Sequence, residues 1–205
     1  FQKQPFGSHP LGTAWVVRLC DSLHTLGRYE DELEEARRGR EQFAEHADVR
    51  YSEIGALAAL GRLEELNRAL QEAAAAQIRD ATPADAMLFA ASELRAHGHR
   101  EDSLRLAERA VAWYRRQPPK ASTTEDWQRG LAQALGYVEQ WNESRAAYAK
   151  LVAGGSEEVE DAGMIGVTAA LAGDRATAVR VSGELERLDR KWLFGEHTWY
   201  RAAIA

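Results

Sequence analysis

The sequence has one cysteine, five prolines and no long uncharged apolar run. A single cysteine, Cys20, excludes an intrachain disulfide and a zinc site built from several thiolates. The apolar runs stop well short of the roughly eighteen residues that a membrane-spanning helix needs, so we expect no membrane span. The lack of disulfides is compatible with the cytoplasm, which is the compartment we expect, and also with secretion.

An excess of positive charge is also missing. The 205 residues include 26 Lys and Arg against 32 Asp and Glu, which gives a net charge of −6. This balance argues against binding to a nucleic-acid backbone, which needs a surplus of cations. The basic run at 37–40 lies among Glu34, Glu35 and Glu41. The alternation predicts a salt-bridged outer helix face, so we expect no direct contact with nucleic acid.

No set of residues with catalytic spacing stands out. His97 and His99 flank Gly98 and could share a metal ion, but no carboxylate is fixed beside them at helical spacing, so we predict a solvated turn. Cys20 falls in a position that other segments fill mostly with small apolar residues, which predicts a buried packing role. We therefore expect a protein that is not an enzyme and that holds neither a cofactor nor a metal.

Helix formers are abundant, and a short turn recurs between them. The chain is rich in Ala, Leu, Glu and Arg, and it shows no strand-like alternation of useful length, which predicts an all-α fold. Glycine suits such turns because it can adopt the left-handed conformation that ends a helix. A period near 34 residues is typical of arrays of paired helices. We predict at least ten antiparallel helices, with turns at 26–29, 60–63, 97–100, 138–141 and 172–175. The turn residues are Gly27, Gly61 after 34 residues, Gly98 after 37, Glu139 after 41 in a weaker copy, and Gly173 after 34 more.

Alignment on these turns produces columns of similar residues on one helical face. The column seven residues before the turn is mostly small, which lets helices approach closely. Four residues before the turn, the chain has Leu23, Leu57, Leu94, Leu135 and Ala169. Eight residues before it, the column is apolar with one exception, Glu53: Leu19, Glu53, Ala90, Leu131 and Ile165.

This pattern resembles the tetratricopeptide repeat (TPR) superfamily, which has a large–small pair, a glycine–x–aromatic turn and further small positions. The resemblance covers about 13–190, plus a truncated sixth repeat that opens near 194. It implies an all-α helical-repeat solenoid of about five antiparallel helix pairs and part of a sixth. The best copy is Leu19, Cys20, Leu23, Gly27, Tyr29 and Ala36. The alanine that the family has early in its second helix is kept only at Ala178, and its other equivalents are Glu32, Leu66, Ser103 and Ser144.

The predicted organisation is a linker or irregular cap at 1–12, followed by one repeat domain at 13–205. Irregular loops are expected around 81–83 and 118–124. Thr82 with Asp85, and Thr123 with Asp126, predict helix N-caps that follow these loops. The expected repeats lie near 13–46, 47–82, 84–120, 125–155 and 159–190, with a partial one at 194–205.

In the TPR family the first helix of each pair lines a concave face, so the resemblance implies a partner-binding groove there. Tyr51 and Arg129 are the expected anchors, and replacing either by alanine is expected to weaken binding without changing the melting temperature. Phe89 and Tyr137 have an alternative role, which is to pack between repeats. The candidate partner-binding residues are Arg18, Asp21, Tyr51, Leu88, Phe89, Ser92, Arg129, Gln133, Tyr137, Trp199 and Tyr200.

Two functions are compatible with these features. The first is an interaction scaffold that binds a peptide or a partner helix in the groove. The alternative is a regulatory or sensor domain of a larger bacterial signalling or transcription-regulating protein, because the closing segment resembles the last repeats of such proteins. Trp199, Tyr200 and Ile204 are expected to form an exposed apolar patch. This patch predicts self-association through the C-terminal end, or cover by a further segment.

Overall fold

A computed structural model describes residues 10–44, 46–76, 82–118, 124–187 and 196–205. Within these ranges the chain forms eleven α-helices and no strand, which confirms the all-α prediction. No helix in the described part of the chain combines the length and apolar character needed to cross a membrane. The helices are α1 Pro10–Thr25, α2 Tyr29–Gln42, α3 Ala47–Ala59, α4 Leu63–Ala75, α5 Pro83–Ala96, α6 Arg100–Arg115, α7 Glu125–Tyr137, α8 Trp141–Ala153, α9 Val159–Leu171, α10 Arg175–Arg187 and α11 Glu196–Ile204.

The helices form consecutive pairs, and the chain divides into two compact units, residues 1–106 and 107–205. In the N-terminal unit, α1 packs on α2 and α3, and α3 packs on α4 and α5. In the C-terminal unit, α8 packs on α7 and α9, and α9 also packs on α10 and α11. Helix α1 begins at Pro10, three residues earlier than predicted, because proline suits the first helical position. Residues 1–9 of the linker predicted at 1–12 lie outside the described residues, and residues 10–12 belong to α1 instead.

All five predicted turns separate helices. The glycines adopt the expected left-handed conformation, with φ of 70° at Gly27, 66° at Gly61, 87° at Gly98 and 79° at Gly173. The fourth turn has Glu139 at the same place with φ of 62°, and it is the one non-glycine residue with positive φ among those described. The glutamate therefore adopts a conformation that disfavours a side chain.

Replacing Glu139 by glycine is expected to raise the free energy of unfolding by about 0.5–1 kcal/mol. The left-handed conformation costs an L-residue about 1–2 kcal/mol, and the greater entropy of glycine in the unfolded chain offsets part of the gain. Urea denaturation of the variant measures the change. The reverse change at a matched turn, Gly173→Ala, is expected to lower stability by a similar amount. Equal stabilities of both variants and the wild type would contradict the strain argument.

The second-helix position at which the TPR family has alanine is buried in every repeat here, although its residue varies. The Oγ of Ser103 donates to the carbonyl oxygen of Ala91 at 2.7 Å, and that of Ser144 donates to Ala132 at 2.7 Å. Both acceptors lie twelve residues earlier, in the small column of the first helix. The hydroxyls are therefore satisfied inside the helix pair, and serine can replace alanine there. We call this position the alanine slot.

Glu53, the exception in the apolar column, is 6 % exposed and is held by two arginines of α2. Arg37 Nε donates to Glu53 Oε1 at 3.2 Å, and Arg40 pairs with the other carboxylate oxygen. The same arginines reach α4, where Arg37 lies 2.6 Å from Glu65 and Arg40 lies 2.7 Å from Glu72. This ion-pair network confirms the salt-bridged helix face predicted for the basic run.

Helix α5, which contributes to the candidate site, begins with the predicted cap. Thr82 Oγ1 accepts from the Asp85 amide at 3.2 Å, and the Thr82 amide donates to Asp85 Oδ2 at 2.7 Å. Helix α7 is capped by Thr124, which accepts from the Trp127 amide at 3.3 Å, one residue later than predicted. The predicted cap residue Thr123 and most of the two predicted irregular loops lie outside the described residues.

Candidate functional site

The N-terminal unit has a pocket of about 390 Å³ between α1, α3 and α5, which are the first helices of three successive pairs. The TPR resemblance predicts that these helices share the partner-binding face. We call this cavity the acidic pocket. Its lining residues are Val17, Asp21, His24, Thr25, Glu32, Asp48, Tyr51, Ser52, Gly55, Phe89 and Glu93.

Two aromatic rings form the apolar part of the acidic pocket. Tyr51 on α3 and Phe89 on α5 meet edge to face, with ring centroids 5.2 Å apart and an interplanar angle of 76°. The Phe89 ring lies over Gly55, where a Cβ atom would come within 3.4 Å of Phe89 Cζ. Burial raises the pKa of the Tyr51 hydroxyl, so this group stays neutral. The rings offer an uncharged surface with one polar tip.

Four carboxyl groups surround these rings. Asp21 and Asp48 are exposed, Glu93 is half-buried, and Glu32 is 3 % exposed. Among the described residues that line the acidic pocket, none is Lys or Arg. Burial raises the pKa of Glu32 to about 7, and the neighbouring His24 opposes this rise. The lining of the acidic pocket therefore has an excess of carboxyl groups and no arginine or lysine.

His24 joins two of these carboxyl groups. Its Nδ1 lies 2.8 Å from Glu32 Oε2, and its Nε2 lies 3.1 Å from Glu93 Oε2. His97 Nε2 lies 3.5 Å from the same Glu93 oxygen. One donor atom from each of His24, Glu93 and His97 lies within 4.8 Å of the others, so these three side chains could hold a metal ion.

A carboxylate does lie at helical spacing from the turn that contains His97 and His99, so the expectation that none does is wrong. Glu93 lies in α5, four residues or one helical turn before His97, which is the C-cap of this helix, and the two side chains are in contact. His99 points elsewhere, with its ring packed over Gly61. The two histidines of the turn are therefore separated, and the partner of His97 is His24 from a distant helix.

The structure brings three of the candidate residues of the N-terminal unit together. Asp21, Tyr51 and Phe89 all line the acidic pocket. The Phe89 ring packs against Tyr51 of α3, as its alternative role between repeats predicted, and its partner-binding role stays a prediction. The sequence analysis did not find His24, Glu32 or Glu93, although the charged residue in the alanine slot was a signal that pointed to Glu32.

The other candidates of this unit do not line the acidic pocket. Leu88 was predicted on the exposed, partner-binding face of its helix. This placement is wrong, because the residue is 4 % exposed and belongs to the core. Ser92 Oγ donates to the carbonyl oxygen of Phe89 at 2.7 Å, within its own helix. Arg18 is exposed on α1. Of the two neighbours Leu88 and Phe89 in α5, it is thus Phe89 that lines the acidic pocket.

In the C-terminal unit, Arg129 forms a structural ion pair. Its Nε lies 2.9 Å from Asp161 Oδ1 and its Nη2 lies 3.0 Å from Oδ2, while the Asp161 side chain is fully buried. Ser156 Oγ also donates to Asp161, at 2.6 Å. The hydrogen bonds to Asp161 raise the pKa of Arg129. The expectation that Arg129→Ala leaves the melting temperature unchanged is therefore inconsistent with the structure.

The remaining candidates lie at separate places in the C-terminal unit. Gln133 is exposed, and Tyr137 is half-buried. Tyr200 packs over Gly163, a buried glycine of α9. Trp199 is 61 % exposed. The expected apolar patch at α11 is thus smaller than predicted, and self-association through it stays a prediction.

No protein-family model matches the sequence, and no curated protein matches it. The solved structures that resemble the chain include two of nearly identical TPR-like repeats of a candidate kinesin light chain from Podosopora anserina. A point variant of that protein is 17 % identical with a TM-score of 0.52, and the match covers 86 % of this chain and 94 % of that chain. The second structure is 16 % identical with a TM-score of 0.50, and the match covers 88 % and 100 %. The chain therefore has a TPR-like helical-repeat fold.

Proposed function

We propose that the protein is an interaction scaffold whose N-terminal unit binds an extended, Lys- or Arg-containing segment of a partner protein in the acidic pocket. The supporting observation is the combination of four carboxyl groups, two aromatic rings and no lysine or arginine in the described lining. Opposite charges across an interface steer association and select partners. The net charge of −6 favours the same class of partner.

The chemistry of a basic side chain fits the surroundings of the two rings. The aliphatic part of Lys or Arg can pack against Tyr51 and Phe89, and the cationic head then meets a ring face or a carboxylate. Asp21 and Asp48 lie at the exposed part of the pocket, where they can form charge-assisted hydrogen bonds with the head group. The carboxylates of an acidic segment would be repelled by these carboxyl groups.

The proposal is a binding function rather than catalysis. The alternative hypothesis of a regulatory domain in a larger bacterial protein makes the same prediction for the acidic pocket, and it stays a prediction. The open reading frame that surrounds the chain tests this alternative.

Selection from a displayed library of random peptides tests the proposal. The full chain is the bait, in buffer with a chelator, and the selection is repeated with the double variant Asp21→Asn and Asp48→Asn. We expect enrichment of Lys- or Arg-containing peptides with the wild type and loss of that enrichment with the variant. Enrichment of acidic peptides, or the same basic peptides on both baits, would contradict the proposal.

A further inference from the structure

We propose that the C-terminal ends of α1 and α5 form a zinc site, with His24, Glu93 and His97 as ligands. At zinc–ligand bond lengths of about 2.0–2.1 Å, a tetrahedral site places its donor atoms about 3.3 Å apart. The distances from Glu93 Oε2 to the Nε2 atoms of His24 and His97 are 3.1 and 3.5 Å. All three donors lie within 4.8 Å of one another, so small side-chain shifts are enough to close around an ion.

A second carboxyl group, that of the buried Glu32, contacts the ligand His24 and would not contact the ion itself. A histidine that binds a metal usually donates its other ring N–H to a carboxylate, which fixes the tautomer and orients the ring. His24 has this arrangement, since Nδ1 lies 2.8 Å from Glu32 and Nε2 points to Glu93. Glu32 occupies the alanine slot, where other repeats have Leu66, Ser103, Ser144 and Ala178. A carboxyl group in so buried a position is costly to hold there, and the orientation of His24 accounts for its presence.

Aromatic packing restricts both imidazole rings. Tyr29 lies 5.1 Å from the ring of His24 and 4.7 Å from the ring of His97, both edge to face. The side chains of His24, Glu93 and His97 are 28 %, 21 % and 20 % exposed, so an ion has access from solvent. The rings are thus preorganised, and water or a partner group can occupy the fourth position of a three-ligand zinc site.

The ligand types select the ion. Two imidazoles and one carboxylate suit Zn²⁺ and its first-row neighbours, whereas Ca²⁺ and Mg²⁺ prefer oxygen ligands throughout. The ligands come from two helices that are distant in sequence, so the bound ion would link α1 to α5. Zinc binding is therefore expected to raise the melting temperature of the N-terminal unit.

Isothermal titration of the tag-free full chain with ZnCl₂ tests the site without any peptide. We expect one Zn²⁺ per chain and a melting temperature that rises with added Zn²⁺ and falls back with EDTA. His97→Gln is expected to abolish both effects. Glu32→Gln is expected to weaken binding about 10–100-fold, as the loss of a carboxylate partner does in other zinc sites. A visible absorption band typical of tetrahedral Co²⁺ provides an independent readout.

His46→Gln is the matched control, because His46 has an aspartate neighbour, Asp48, but does not belong to the group of potential metal ligands found among the described residues. It is expected to bind Zn²⁺ like the wild type. Circular dichroism in EDTA verifies that each variant is folded. No saturable binding by the wild type, or binding that His97→Gln leaves unchanged, would overturn the proposal. Because no peptide is present, this failure is distinct from a failure of the proposed function.

Discussion

Replacing Arg129 by alanine is expected to lower the free energy of unfolding by about 3 kcal/mol. Removal of one partner from a buried ion pair typically costs about 3–5 kcal/mol, and we take the lower end because Arg129 is 23 % exposed. Within the described part of the chain, Ser156 would then be the one side-chain hydrogen-bond partner left to the fully buried Asp161. For a chain of this size the change corresponds to a fall of about 6–12 °C in melting temperature. Urea denaturation followed by tryptophan fluorescence measures it.

Two further variants separate the ion pair from simple loss of an arginine. Arg180→Ala removes an exposed pair with Glu184 at 2.8 Å, and it is expected to cost at most about 0.5 kcal/mol. The double variant Arg129→Leu with Asp161→Leu removes both charges of this ion pair, so its stability is expected to lie within about 1 kcal/mol of the wild type. A stability of Arg129→Ala equal to that of Arg180→Ala would show that Asp161 does not depend on the arginine.

The second large effect is expected at the acidic pocket. Replacing Asp21 and Asp48 together by lysine should weaken binding of a fluorescein-labelled, arginine-containing peptide about 100-fold or more. Each carboxylate contributes a charge-assisted hydrogen bond of about 1.5–3 kcal/mol, and each lysine adds repulsion. A tenfold change corresponds to about 1.4 kcal/mol. Fluorescence anisotropy measures the affinity, and higher salt is expected to weaken the wild-type complex.

The control for this charge reversal is Glu125→Lys with Glu157→Lys, two exposed positions in the C-terminal unit. It changes the net charge by the same amount but leaves the acidic pocket intact. We expect its affinity for the peptide to stay within about threefold of the wild type, because the carboxyl groups that line the acidic pocket are unchanged and salt screens exposed charges elsewhere. Equal losses in both double variants would attribute the effect to net charge and would remove the pocket assignment.

The turns could be predicted from the sequence because their chemistry is local. A helix that ends in a left-handed residue favours glycine, so the positions of Gly27, Gly61, Gly98 and Gly173 fixed the boundaries of four helix pairs. The Glu139 turn could be predicted from its spacing alone, since its residue argues against the conformation that it adopts. The columns predicted the packing face for the same reason, because helical periodicity depends only on short separations.

The site residues depend on contacts between distant segments, which the columns do not encode. The position of Arg129 on the first helix of its pair predicted an anchor for a partner protein. The arginine instead forms an ion pair with Asp161 of the next helix pair. The candidate list included both Leu88 and Phe89, but only Phe89 lines the acidic pocket, because the side chain of Leu88 packs in the core. Glu93 and His97 are visible at helical spacing, whereas His24 reaches them only through the packing of α1 near α5.

The acidic residue in the alanine slot has a consequence for anyone who wishes to engineer these repeats. A consensus computed over the five helix pairs would place a small or apolar residue at Glu32, and it would also replace the unmatched His24. Such a chain is expected to be more stable, since it avoids the burial of a carboxyl group, and it would keep the repeat architecture. It would also lose the contact between His24 and Glu32, which the first repeat has and the consensus would not. Averaging over the repeats would therefore raise the stability of the scaffold and remove side chains of the candidate zinc site.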